Sequence, residues 1–185
     1  MPYCWFTLER LGLLERMNEI GYVKKYSVQF VTQDGRQSQP FYFFQHYDHP
    51  SSTSWQVERS EFDHMMLEDA RAKGAEVCEL TPVLQTIRDE SGKVIGVRAR
   101  ANGKEFEVFA PVTIDCSGRE QVATANAGWR MRDPKLNKLA IWTYYRNARR
   151  DPGIDEGSTT VAYVEGRGWF WYIPLKHGIV SVGIV

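Results

Sequence analysis

Long apolar runs are missing. No stretch of the 185 residues approaches the roughly 20 consecutive apolar residues that cross a bilayer. The N-terminus has neither the basic start nor the apolar stretch of a signal peptide, so the default compartment is the cytoplasm. An excess of one charge is missing too. The 23 lysines and arginines balance 23 aspartates and glutamates, which leaves no summed field to draw nucleic acid or an anionic membrane surface. Cysteine is scarce: Cys4, Cys78 and Cys116 are odd in number, far apart and set in apolar sequence. That argues against a disulfide frame and predicts buried, inert thiols in a reducing compartment. His46, Asp48 and His49 have no second cluster to complete a metal site and read as a polar loop. No serine or cysteine nucleophile has a recognisable partner motif, and no basic stripe interleaved with aromatics suggests single-stranded nucleic acid.

Apolar and aromatic residues, 43% and 13% of the chain, are abundant enough for one substantial core or for part of a larger one. Tyr3-Cys4-Trp5-Phe6 follows Met1-Pro2 with no polar lead-in, and the chain stops within a strand-like run over 180–185. Both ends are therefore expected to be truncated, with an unpaired, aggregation-prone strand edge at Val185.

Leu8, Leu11, Leu14 and Met17 recur at helical spacing with Gly12 interrupting them, predicting two short helical pieces over 7–19 that end near Gly21. Strand-like runs at 26–32 and 39–44 flank Asp34-Gly35, the signature of a hairpin whose second strand is aromatic. Residues 46–54 read as a loop. A helix with Phe62, Met65, Met66 and Ala70 on one side is predicted to start at a Ser60 cap and close at Gly74. Strands are expected at 76–80, 83–88, 94–100 and 105–109, with turns at 90–93 and Asn102-Gly103, giving a three-stranded antiparallel meander. Residues 111–118 read as a short strand running into a turn. Alternation over 139–145, 159–164, 168–174 and 179–185 makes the last third a β-sheet, with 151–157 a long hairpin loop.

Three segments could carry chemistry. A strand ending in Asp115 and a small-residue turn through Ser117-Gly118 is where an α/β sheet lets backbone approach a nucleotide, although many unrelated turns look alike. In Gly168-Trp169-Phe170-Trp171-Tyr172-Ile173-Pro174, the two tryptophans fall on one face of a strand, and Pro174 ends the pairing because it has no N–H to donate. Such indoles could wall a planar ligand or simply fill a sandwich core. The third segment, Gln56-Val57-Glu58-Arg59 with Phe62-Asp63, opens a helix. Lys24 and Lys25 read as solvated surface charge.

The stretch carrying Trp169, Trp171, Ile173 and Pro174 resembles the W-x-W-x-I-P motif of flavin-dependent halogenases. Gln56, Val57, Arg59, Phe62 and Asp63, and then Ile114, Asp115, Ser117 and Gly118, resemble two further motifs of the halogenase and geranylgeranyl-reductase superfamily, in the same order. The resemblance implies an α/β fold (α+β in this stretch): a Rossmann-like FAD-binding flavoprotein with a β-rich substrate region. It implies a partial FAD-binding domain over 1–134, with an inserted hairpin and meander, and the start of a substrate domain over 135–185. It implies FAD as cofactor, with reduced flavin, dioxygen and halide consumed in halogenation of an electron-rich aromatic or carrier-bound substrate, and a flavin reductase as a partner. Arg59 would lie near the flavin's phosphate or ribose side, its other reading being an ion pair with Glu58 or Glu61. Asp115 and Gly118 would lie near the dinucleotide, and Trp169, Trp171 and Pro174 would separate flavin from substrate. The G-x-G-x-x-G fingerprint and the family's lysine, both expected upstream of residue 1, are not in the sequence, so no catalytic residue is named and weak FAD binding is expected. Competing readings are a reductase or monooxygenase of the same superfamily and a non-catalytic binder of hydrophobic ligands.

Overall fold

Gly12, at φ +73°, turns the chain where a side chain would be strained, and so divides the first helical stretch into α1 (Cys4–Arg10) and α2 (Leu14–Glu19). The computed structural model describes residues 1–124 and 127–185. Backbone packing divides the chain into two units, Met1–Glu68 with Lys138–Val185, and Asp69–Asn137. The first unit joins the first third of the chain to the last.

In the first unit, Leu8, Leu13, Met17, Tyr22 and Met65 form a buried cluster, with Trp55, Val57 and Phe62 packed on it. Of the predicted stripe, Leu8 and Met17 are buried and Leu14 packs on the cluster, whereas Leu11, at the break before Gly12, is exposed and Leu13 takes the buried place. Met65 comes from α3 (Arg59–Ala72). This helix begins one residue before the expected Ser60 cap: Ser60 is already helical and its hydroxyl turns to Glu58 at 3.4 Å. The C-terminus ends as predicted, with Gly74 and Ala75 donating back to the carbonyls of Arg71 and Ala70.

β1 (Val23–Lys25) pairs antiparallel with β4 (Ser54–Gln56), two strands missed in sequence read as polar connection. The larger sheet has six strands in the order β3-β2-β9-β10-β11-β8. They are β2 (Ser27–Val31), β3 (Phe41–Tyr42), β8 (Ile141–Arg146), β9 (Thr159–Val164), β10 (Gly168–Pro174) and β11 (Ile179–Ile184). The aromatic run predicted as a full strand pairs for only two residues before a 3-10 turn at Phe43–Gln45. β2 runs parallel to β9, Val28 opposite Thr159, whereas the other neighbours are antiparallel. Val185 is not an unpaired edge: it exchanges two backbone hydrogen bonds with Trp169, and the edges are β3 and β8.

The second unit holds the expected meander, β5 (Val83–Arg88), β6 (Val94–Ala101) and β7 (Lys104–Phe109). Asn102 and Gly103 both take positive φ in its second turn, the combination a two-residue hairpin needs. Residues 76–80 and 111–115 do not form the predicted strands. Neither run finds a ladder partner among the described residues, and apolar sequence alone does not satisfy backbone N–H and C=O groups. Leu80 is 97% and Ile114 81% exposed. The cysteines also depart from expectation, since all three are exposed free thiols. Cys4 lies in the first turn of α1 off its buried face, Cys78 belongs to the first of those unpaired runs and Cys116 directly follows the second.

Candidate functional site

Strand β10 positions the tryptophans. Trp169 pairs with Tyr163 and Trp171 with Val161 across to β9, and Trp171 pairs with Gly183 on β11, which in turn pairs with Trp142 on β8. Residues directly paired across a ladder share a face. Phe30, Val161, Trp171, Gly183 and Trp142 therefore form one row across five strands. The row leaves Phe30 51% and Trp142 58% exposed, whereas core-filling side chains would be covered. Pro174 is buried where β10 ends, opposite Val180.

The indole of Trp171 lies over β11. Its Nε1–H donates to Ser181 Oγ at 3.2 Å, and a Cβ added to Gly183 would stand 2.2 Å from its Cζ2. Trp169 carries the ammonium of Lys138 5.2 Å from its ring centroid, within cation–π range. Gly183, Ser181, Trp142 and Lys138 were missed in the sequence. The S-x-G spacing of small residues on an otherwise apolar strand, next in sequence to W-x-W, was the available signal for the first two.

The segment around Gln56 is organised for folding. Gln56 is buried, and its amide donates to Gly157 O at 3.0 Å and Thr159 Oγ1 at 2.8 Å, tying β4 to the start of β9. Val57 and Phe62 pack on the helical core. Arg59 makes a bidentate pair with Asp63, both contacts at 3.0 Å, rather than with Glu58 or Glu61. Its side chain is exposed, and Asp63 raises its pKa. Glu61 instead meets Lys176 at 2.6 Å beside Tyr22, whose burial, with Glu61 as its anionic neighbour, pushes the phenol up to about 12. Lys25 is half-buried rather than solvated, and its desolvation lowers its pKa.

Lys24 and Lys176 line an open cavity of about 550 Å³ with Arg150 and His177. Lys176 is held by Glu61 and Arg150 by Glu156. Arg150 also donates to the carbonyls of Leu175 and Ile179, which pins the loop over 151–157 to the turn after β10. Of the histidines set aside as a polar loop, His49 accepts from the Ser51 N–H through Nδ1 and stacks on Phe6, and His46 stacks on Phe41.

Asp115 and Gly118 belong to the other unit. The Asp115 carboxylate accepts the N–H groups of Ser117 and Ala123, both at 2.8 Å, and Ser117 Oγ accepts that of Val122 at 3.1 Å. Hydrogen bonding from Ser117, ahead of the backbone groups, holds the carboxyl below the ordinary aspartate range. Both oxygens are thereby committed to shaping the turn. Gly118 takes φ +62° with open space where a Cβ would stand, so the turn presents bare backbone. Val83, Val97, Ile114 and Val122 line a small, largely apolar cavity of about 170 Å³ beside it.

The family model described as tryptophan halogenase matches residues 4–185. The chain is 29% identical over 177 residues to the 1H-pyrrole-2-carbonyl-[peptidyl-carrier protein] brominase of Pseudoalteromonas luteoviolacea, covering 95% of this chain and 41% of that protein. It is 29% identical over 193 residues to a flavin-dependent halogenase of Armillaria mellea, covering 100% of this chain and 38% of the relative. Among solved structures, the myxobacterial chondrochloren halogenase, an FAD-dependent enzyme, superposes with a TM-score of 0.89 at 30% identity, over 100% of this chain and 42% of that one. The chain thus spans about two fifths of the length of these relatives.

Proposed function

The chain belongs to the tryptophan halogenase family, and from that premise we propose that the protein carrying it is an FAD-dependent halogenase acting on an electron-rich aromatic ring, free or held on a carrier protein. The observation that carries the reading is the Trp169-Trp171-Pro174 strand: an indole row open on one face of the sheet, within a match that runs from residue 4 to the last residue. The carrier-bound substrate is suggested by the pyrrolyl-carrier brominase among the relatives. A cytoplasmic setting and a partner reductase supplying reduced flavin belong to the same reading; among the described residues no helix is long and apolar enough to cross a membrane.

Taken one unit at a time, the residues present suit what a flavin needs. The turn at Ser117-Gly118 offers open backbone of the kind that approaches phosphate or ribose, and the indole row offers a flat aromatic wall for a ring system. Asp115 serves such a site through the turn it holds, because neither carboxylate oxygen is free of backbone hydrogen bonds. Arg59, exposed and held by Asp63 among the described residues, can exchange that surface pair for a phosphate, the geometry a planar guanidinium favours. Reduced flavin with dioxygen supplies the oxidising equivalent that makes halide electrophilic. The chain's own contribution is an aromatic partition that keeps substrate from that oxidant's source, with Pro174 and Val180 buried at its end.

The test is to incubate the full-length protein with reduced FAD, dioxygen, bromide or chloride, and phenolic, indolic or carrier-tethered pyrrolyl substrates, and to read product mass. A halogen isotope pattern is expected. Flavin oxidation that yields a hydroxylated ring and never a halogenated one would move the protein to the monooxygenases.

A further inference from the structure

The structure assigns Ser181 and Gly183 as positioning residues that together fix the plane of the Trp171 indole. The inference rests on the reading of Trp171 as a wall between flavin and substrate, and extends it to two residues on a different strand.

Two independent constraints act on one ring. The polar one is the 3.2 Å hydrogen bond from Trp171 Nε1–H to Ser181 Oγ. The steric one is the absence of a side chain at residue 183: an added Cβ would stand 2.2 Å from Cζ2 and 2.5 Å from Cη2 of Trp171, and 2.7 Å from Trp142 Cβ. Real Cβ atoms do not approach that closely, and an indole is rigid beyond its two side-chain torsions, so a methyl group at 183 must swing the ring. Ser181 and Gly183 lie at i and i+2 on β11 and therefore on one face. That is the face carrying Trp171, which pairs directly with Gly183, while Ser181 pairs with Ile173.

The geometry makes the pair act as a unit. The ring's benzo edge rests on the bare backbone at 183 while its pyrrole nitrogen is tied at 181. Trp142 closes the far side from β8 and Val161 the near side from β9. An indole free to rotate would change the width of any slot beside it; one tied at the nitrogen and seated on glycine presents a single surface. Binding sites hold their geometry when such supporting contacts lock the rotamer of the contact residue.

Hydrogen exchange of the tryptophan indole N–H groups, followed by NMR on the full-length protein, tests the assignment. Trp171 is identified as the resonance lost in W171F. S181A is expected to speed exchange of that one N–H about tenfold, the loss of a single hydrogen bond, leaving the other indoles unchanged, and S181T is expected to restore protection. G183A is expected to shift and deprotect the same resonance; if G183A does not fold, S181A and S181T decide alone. A Trp171 N–H whose exchange is the same in S181A as in the unaltered protein overturns the assignment. Halogenation by W171F separates this from the underlying reading. Unchanged product yield there removes Trp171 from the reaction, whereas the exchange data speak only to what holds the ring.

Discussion

Gln56 shows how a side chain can stand in a recognisable motif and yet work for the fold. Its amide bridges two strands at a buried position. Replacing it with alanine leaves the Gly157 carbonyl and the Thr159 hydroxyl without that donor. Gln56→Ala is expected to lower unfolding free energy by about 1–3 kcal/mol, measured by urea titration of the far-ultraviolet dichroism. A change near zero would mean that water replaces the amide at no cost. Arg59 and Asp63 behave differently. Their pair is exposed and bidentate, so by itself it adds at most a few tenths of a kcal/mol to stability. From sequence alone Gln56 and Arg59 look equally functional. What separates them is burial, which depends on the return of residues 157–159 to the same place, and residue spacing does not encode that.

Elements with internal periodicity were legible, and those defined by a distant partner were not. The meander over 83–109 was readable because its turns and alternation are local, down to Asn102 and Gly103. The break at Gly12 and the Gly74 stop were readable for the same reason. The parallel join of β2 to β9 leaves no sequence signal at either strand, and β1 and β4 are too short to show alternation. The site divides in the same way. W-x-W fixes the face of Trp169 and Trp171, but the Gly183 seat for Trp171 follows only from a cross-strand register. β8 carries the clearest consequence at this scale. It is an edge strand, and Ile141, Trp142, Tyr144 and Tyr145 are each more than half exposed, which offers unpaired backbone with apolar flanks to a second copy. The 185-residue chain is therefore expected to self-associate as its concentration rises. Thr143→Lys, which places a charge in the middle of that edge, is expected to shift sedimentation toward monomer with unchanged dichroism. A parent chain that sediments as a monomer throughout would remove the edge as a cause.

At the scale of the molecule, charge balance bears on the proposed binding of the cofactor. With 23 positive and 23 negative side chains, no net field gathers an anionic dinucleotide, so affinity must come from local contacts. In the proposed reading the bare turn at Gly118 and the guanidinium of Arg59 would each supply such a contact. The glycine loop that seats a pyrophosphate on a helix N-terminus does not occur within these residues, and the Asp115 carboxylate, an acceptor that shapes its own turn, does not replace it. The 185-residue chain alone is accordingly expected to bind FAD at least about a hundredfold more weakly than the full-length protein, equivalent to losing two charge-assisted hydrogen bonds of about 1.5–3 kcal/mol each. Titration followed by flavin fluorescence quenching measures both. Equal affinities would mean that the turn at 115–118 and Arg59 suffice for the dinucleotide, and would transfer to them the role that a glycine-rich loop plays elsewhere. The expected gap would leave these residues to orient a cofactor gripped chiefly by other sequence.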